Sequence, residues 1–274
     1  MADDALRIPP ADHRTGSSLF PYYADPPGGT AARRVLLVTA VPAERDAVVH
    51  AFDGLRCDIP LPGGTLHRIR RHTATIDVLA GGVGAPATAA AVSTALAVAA
   101  LTASAYDLVL CAGIGGGFQP EVPVGSLVVA DELVAADLGV ETAEGFLSLA
   151  DLGLAKVSHR PDLDLVRKVA SVTGACLGSV LTVSTMTGSE RRAAELRAAH
   201  PGALAEAMEG FGVAEAGAAA DCPVLEIRAV SNPVGTRDRS AWRVPEALAT
   251  LTGAFERLAP VLNQLAAQAA LTRR

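Results

Sequence analysis

A three-layer α/β/α domain on a mixed central sheet is the fold class this sequence predicts, and two observations predict it. Buried-strand runs alternate with helical stretches along most of the chain, and glycine-rich turns follow the ends of those runs. The 274 residues, half of them hydrophobic, suffice for one large core, and no repeat or linker divides them. Residues 1–32 mix Pro, Gly and Asp without a steady period and are expected to be a flexible arm, with the folded domain spanning 33–274.

"RVLLVTA" (34–40) is a continuous apolar run, as for a strand buried on both faces. "VPAERDAVVHAF" follows as a helix opened by Pro42. "LHRIRR" and "TIDVLA" make a strand pair. "APATAAAVSTALAVAALTASA" is a buried helix opened by Pro86, too interleaved with Ser and Thr for a membrane span. "YDLVLCAG" is a strand, and "GIGGGFQPEVPVG" has too much Gly and Pro for a helix and is expected to be a loop. "SLVVADELVAAD" gives one strand or two, a helix covers about 161–171, and "CLGSVLTVST" is a further strand. "GSERRAAELRAAH" is an amphipathic helix, "ALAEAME" a short strand, 210–221 a helix and "PVLEIRAVSN" a strand. One long helix from Pro245 to the end closes the chain.

The net charge of −6 argues against a nucleic-acid partner, which calls for a basic stripe. The arginines of "RRVLL" and "HRIRRH" are expected on solvated faces. Cys57, Cys111, Cys176 and Cys222 lack CxxC spacing and are expected as reduced core residues of a cytoplasmic protein. The six histidines form no HExxH, so no metal is expected. The first 30 residues lack an apolar signal core and carry Asp3, Asp4 and Asp12.

Gly82, Gly84 and Ala87 have the spacing of a dinucleotide fingerprint. The acid that should end the next strand is missing, however: Asp107 lies at its start and Cys111-Ala112-Gly113 at its end. A tight turn whose amides face a ligand is the simpler expectation, without a cofactor. The lysines, Lys156 and Lys168, lie far from both glycine loops, which excludes a phosphate-binding P-loop. Gly113 and Gly115 of "CAGIGGGF" would let the backbone approach a small molecule closely.

Glu44, Glu209 and Asn232 each follow a strand, and in an open α/β sheet ligands gather at the carboxyl ends of strands. Plainer roles exist: Glu44 and Glu209 could be first-turn helix acids, and Asn232 a turn residue before Pro233. Glu209 stands in "ALAEAMEGFGVAEAG", a small and apolar setting where a carboxylate needs partners.

The ordered series "TAVPAERDAV", "AGGVGAP", "CAGIGGG", "VGSLVVADE", "TGS", "AMEG" and "IRAVSN" resembles the purine nucleoside phosphorylase and nucleosidase superfamily over roughly residues 34–265. It is most similar to the hydrolytic branch, which includes the methylthioadenosine/S-adenosylhomocysteine nucleosidases. "AVPAE", "ADLGVET", "AMEGFG" and "SNPVGTRDRSAWR" look most like the futalosine hydrolases, which release hypoxanthine from futalosine in menaquinone biosynthesis. The resemblance implies a nucleoside-phosphorylase-like fold, with 33–274 as the nucleosidase domain, and a homo-oligomer, dimer or larger. It makes Glu44 the acid that activates water, and Glu209 the acid on the ribose hydroxyls beside Met208, which lines the sugar. Asn232 falls where adenine-cleaving relatives carry an aspartate. Thr185 and Met186 fall on the base pocket, where those relatives carry an aromatic, which leaves Phe211 or Phe118 to stack on the base.

Breaking a ribosyl–purine bond builds positive charge on the sugar and negative charge on the base. Glu209 would face the sugar, its partners arriving with the substrate, while Glu44 takes the proton of water. The Asn232 amide can donate to both N7 and O6 of a 6-oxopurine. Arg237, Arg239 or Arg243 would bind the futalosine carboxylate with Trp242 near its ring, unless this stretch is a surface loop paired with Asp238. Glu44 would repel phosphate, which favours hydrolysis; Arg45 nearby keeps a 6-oxopurine nucleoside phosphorylase in play. The same motifs also admit a methylthioadenosine/S-adenosylhomocysteine nucleosidase, or a nucleoside-binding protein without turnover.

Overall fold

The computed structural model describes residues 33–71 and 74–272, so the arm expected over residues 1–32 lies outside the described residues. The first strand, β1 (Arg33–Thr39), leads into α1 (Pro42–His50), with Pro42 in its first turn. β2 (Leu55–Leu61), β3 (Gly64–Arg70) and β4 (Ala74–Ala80) form an antiparallel meander that ends beside β1. The Ala-rich α2 (Ala85–Leu101) precedes β5 (Leu108–Gly117) and β6 (Leu127–Ala135). β7 (Gly139–Thr142) and β8 (Gly145–Ser148) make a separate hairpin, and β9 (Ser158–His159) pairs with the end of β6. Then come α3 (Leu163–Thr173), β10 (Cys176–Thr182), α4 (Glu190–Ala199) and β11 (Ala203–Ala207). α5 (Gly210–Ala219), β12 (Val224–Pro233), α6 (Val244–Leu258) and α7 (Leu262–Leu271) complete the described chain.

The main sheet runs β11-β10-β6-β12-β5-β1-β4-β3-β2. It is mixed: β1 pairs in parallel with β4 and β5, whereas β12 is parallel to β5 and antiparallel to β6. β11 also returns to β5, antiparallel, so β11, β10, β6, β12 and β5 close into a ring.

Strand alternation separates the layers. Val35 and Leu37 pack with Val48 of α1, Val166 of α3, Phe255 of α6 and Leu265 of α7. Leu36 and Val38 face the other way, onto Val92 and Leu96 of α2 and Val213 of α5. Full burial of each such side chain contributes about 1.5–3 kcal/mol, which is why both faces of β1 had to be apolar.

Four expectations are corrected. The "GIGGG" stretch is strand, not loop: β5 runs to Gly117. A Cβ at Gly115 would lie 2.7 Å from Glu206 O, and one at Gly117 2.6 Å from Val122 O, so the strand fits between its neighbours only as glycine. The closing helix is two helices, because Pro260 interrupts the backbone between α6 and α7. Cys57 and Cys176 are exposed, whereas Cys111 and Cys222 are buried as expected; all four are free thiols. Arg34 and Arg68 are buried, not solvated: Asp77 accepts from both and from Tyr106 Oη, giving two buried guanidiniums a shared carboxylate. Among the described residues, no helix is long and apolar enough to cross a membrane.

Candidate active site

Glu44, Glu209 and Asn232 line one cavity of about 400 Å³. They reach it from the first turn of α1, the residue before α5 and the last residues of β12. A second hollow of about 720 Å³, bordered by His159, Leu165 and Ala218, contains none of the expected site residues.

Glu44 is 3% exposed and, among the described residues, takes its hydrogen bonds from main chain alone, with the Arg228 charge near it. Its Oε2 accepts from Ala40 N (3.0 Å) and Val41 N (3.2 Å), and its Oε1 from Ile114 N (2.8 Å). Two donors fill the lone pairs of Oε2, leaving one lone pair on Oε1.

Glu209 does not wait for substrate to find partners. Its Oε2 lies 3.1 Å from Nη1 of Arg228 and accepts from Met208 N at 3.3 Å; its Oε1 accepts from Gly84 N at 3.1 Å. The Gly84 bond comes from the turn ahead of α2, so the glycine turn presents its amide to a carboxylate of the site. Arg228 is itself buried, and its Nε donates to Glu226 Oε1 at 2.8 Å. Glu226 Oε2 has no hydrogen-bond partner among the described residues, and burial pushes this carboxyl above its ordinary range. A Cβ on Gly210 would come within 2.1 Å of that oxygen, so glycine makes the room.

Asn232 is oriented by its neighbours. Ser231 Oγ donates to Oδ1 (2.8 Å), and Nδ2 donates to Pro233 O (3.0 Å). One amide N–H therefore remains for a ligand, where the sequence alone allowed two. Across the sheet, Gly116 pairs with Asn232 on one side and with Glu206 on the other. Glu206 is 6% exposed and also lines the cavity. It accepts from Thr187 N (2.8 Å) and Thr187 Oγ1, and burial raises its carboxyl above the usual range.

Met208, Gly115, Thr185, Met186, Arg237 and Trp242 also line the cavity. Gly113, Phe211 and Arg239 do not. Gly113 instead lies behind the wall, where a Cβ would be 2.6 Å from Arg228 Nη1 and 2.7 Å from Glu44 Oε1. Phe211 packs on His159, with ring centroids 5.4 Å apart, and Phe118 is buried in a core cluster with Leu181 and Val183. The one aromatic in the lining, among the described residues, is Trp242. The segments bearing Met186 and Arg237 are joined: Thr236 N donates to Glu190 Oε1 (2.9 Å), and Arg237 N to Gly188 O (3.4 Å).

Sequence reasoning missed Arg228, Glu226 and Glu206. A signal existed for the first two: opposite charges two residues apart, inside an apolar strand run, share one face of that strand. Among the described residues no group of three or more His, Cys, Asp or Glu side chains could hold a metal.

A family model of the phosphorylase superfamily matches residues 34–267. The futalosine hydrolase of Streptomyces coelicolor is 60% identical over 229 residues, covering 84% of this chain and 96% of that one. The futalosine hydrolase of Acidothermus cellulolyticus is 43% identical, covering 81% and 89% of the two chains. The structure of futalosine hydrolase from Helicobacter pylori superposes with a TM-score of 0.70 over 84% of this chain and 98% of that one; at 18% identity this likeness speaks for the fold. The chain belongs to the phosphorylase superfamily and, within it, to the nucleosidases of the futalosine hydrolase family.

Proposed function

We propose that this protein hydrolyses the N-ribosyl bond of futalosine, releasing hypoxanthine and dehypoxanthine futalosine as a step of menaquinone biosynthesis. The observation that carries the proposal is the pair of buried carboxylates, Glu44 and Glu209, on one cavity wall. Glu44 Oε1, with its remaining lone pair, holds the attacking water and takes its proton. Water oxygen bonds to the anomeric carbon as the carbon–nitrogen bond breaks, and the electron pair leaves with the base. Glu209 Oε1, with one lone pair left beside the Gly84 N–H, accepts from a ribose hydroxyl, and the carboxylate charge favours the cationic sugar. The remaining Asn232 N–H donates to N7 of the departing base, which spreads its negative charge.

Phosphorolysis would need a cation for the phosphate. Arg45 is turned to Asp46, with Nη2 at 2.7 Å from Oδ1, and Arg228 is engaged by Glu209 and Glu226. Both observations favour water. A homo-oligomer in the cytoplasm belongs to the same proposal: Val140, Phe146 and Leu147 of the β7–β8 hairpin are exposed apolar side chains of the kind an interface covers.

The test is chromatographic, with futalosine, inosine and methylthioadenosine, each with and without phosphate. Hypoxanthine released from futalosine without phosphate is the expected result. Strict phosphate dependence, preferential adenine release from methylthioadenosine, or no cleavage at all would each overturn the proposal.

A further inference from the structure

We propose that Glu206 is the specificity-determining residue for the base, its carboxylate accepting the N1–H of a 6-oxopurine across Gly116 from Asn232. The inference rests on the nucleosidase reading above and names how its base is told from a 6-aminopurine.

Asn232 alone is a poor discriminator. Ser231 fixes its orientation and Pro233 O engages one of its N–H bonds, so it offers a ligand a single donor. A single donor satisfies N7, which every common purine has. Telling hypoxanthine from adenine then depends on the six-membered ring: hypoxanthine carries N–H at position 1 beside its 6-oxo group, whereas adenine carries a bare lone pair there beside an amino group. An acceptor fixed at that edge rewards the first and repels the second.

Glu206 has the required chemistry and place. Gly116 of β5 is registered with Glu206 of β11 on one side and with Asn232 of β12 on the other. Two strand spacings put their backbones roughly 10 Å apart, and both residues line the cavity, as does the bare Gly116 between them. A Cβ on Gly116 would stand 3.3 Å from Asn232 Nδ2 and 2.8 Å from a Val234 methyl, so only glycine leaves the Asn232 amide and Val234 their places beside this strand. The same cavity thus offers a donor from Asn232 and an acceptor from Glu206, with the Val234 methyl beside Gly116 as an apolar surface between their strands. Both Glu206 oxygens accept from Thr187, one from its N–H and one from its hydroxyl, which orients the carboxylate. Each oxygen keeps a further lone pair. Among the described residues no salt bridge engages Glu206, although the charge of Arg192 acts on it, so a ring N–H would add to its Thr187 bonds without displacing a bonded cation.

The experiment titrates the full chain with three free bases, hypoxanthine, adenine and 1-methylhypoxanthine, and repeats the titrations with Glu206→Gln. Wild type should bind hypoxanthine at least about tenfold more tightly than either other base, and the variant should lose most of both preferences while melting near the wild-type temperature. Uniform weakening for all three bases in the variant would make Glu206 only a brace for the Thr187 segment and would overturn the inference. Wild-type affinity for 1-methylhypoxanthine equal to that for hypoxanthine would overturn it without any variant, and so decides the matter even if Glu206→Gln does not fold. Futalosine turnover measured alongside separates the two proposals. Selective hypoxanthine binding without futalosine cleavage sinks the proposed function and leaves the base reader standing; cleavage without dependence on N1–H does the reverse.

Discussion

Arg228 lies against Glu209, its Nη1 3.1 Å from Oε2, with both side chains closed off from solvent. The same guanidinium donates from Nε to Glu226. One cation thus stands between a cavity-lining carboxylate and a fully buried one. Replacing it with methionine keeps the volume but leaves two carboxylates without their charge partner. Arg228→Met is expected to lower unfolding free energy by about 3–5 kcal/mol. Urea titration at matched m-value checks this; a midpoint within error of wild type would refute it.

Glu44 meets three main-chain N–H donors, and an amide cannot accept all three. In Glu44→Gln the new NH₂ group must face either Ala40 and Val41 or Ile114, donor against donor. The variant should therefore lose roughly 10²–10⁴-fold in kcat through the missing base, with about 1–3 kcal/mol of stability lost as well. Steady-state kinetics and melting together test both parts. Retained kcat would remove Glu44 from the chemistry.

The arginines after β12 are not equivalent. Arg237 lines the cavity with Trp242, whereas Arg239 does not, and Arg243 donates to Ser240 O. Arg237→Ala should raise KM for futalosine about tenfold relative to inosine, the loss of one charge-assisted contact. Arg239→Ala should leave that ratio unchanged. Equal effects from the two variants would place the substrate carboxylate elsewhere.

Gly113, behind the cavity wall, leaves room for the Glu44 carboxylate and the Arg228 guanidinium. A methyl there must displace both, and misplacing a reacting group by an ångström can reduce rate about a hundredfold. Gly113→Ala should show such a fall in kcat/KM. Gly64→Ala is the control, because its Cβ would meet only Leu79 Cδ1, at 3.6 Å. Equal activity in both variants would mean the wall can yield.

Asp77 is a stability test separate from the site. It accepts from Arg34, Arg68 and Tyr106, none of which lines the cavity. Asp77→Ala should reduce stability by about 3–5 kcal/mol while the surviving folded fraction keeps its KM. A changed KM would connect this network to the site.

The alternation of strand and helix was legible because two-sided burial demands apolar runs such as "RVLLVTA", and helix starts carry chemical markers such as Pro42. The convergence of Glu44, Glu209 and Asn232 could be anticipated from their places after strands. The tail of β5 was not legible: glycine has no side chain to show a period, and its strand conformation is imposed by Glu206 O and Val122 O pressing close. The Arg34 and Arg68 pairing depends on Asp77 and Tyr106, which reach them from separate strands or their approaches, and no local pattern records such a meeting. Phe211 looked available for stacking because it follows Glu209 closely, but the start of α5 turns it toward His159.

The return of β11 to β5 has a mechanical consequence. A sheet closed on itself has no free margin along which to splay, so the five strands of the ring resist opening sideways. Substrate entry must then be accommodated by the segments over the mouth, where Met186 and Val83 are already half exposed. Slow exchange of the β11 and β5 amides alongside faster exchange around residues 184–188 and 235–242 would be the signature of a stiff cup with a soft brim.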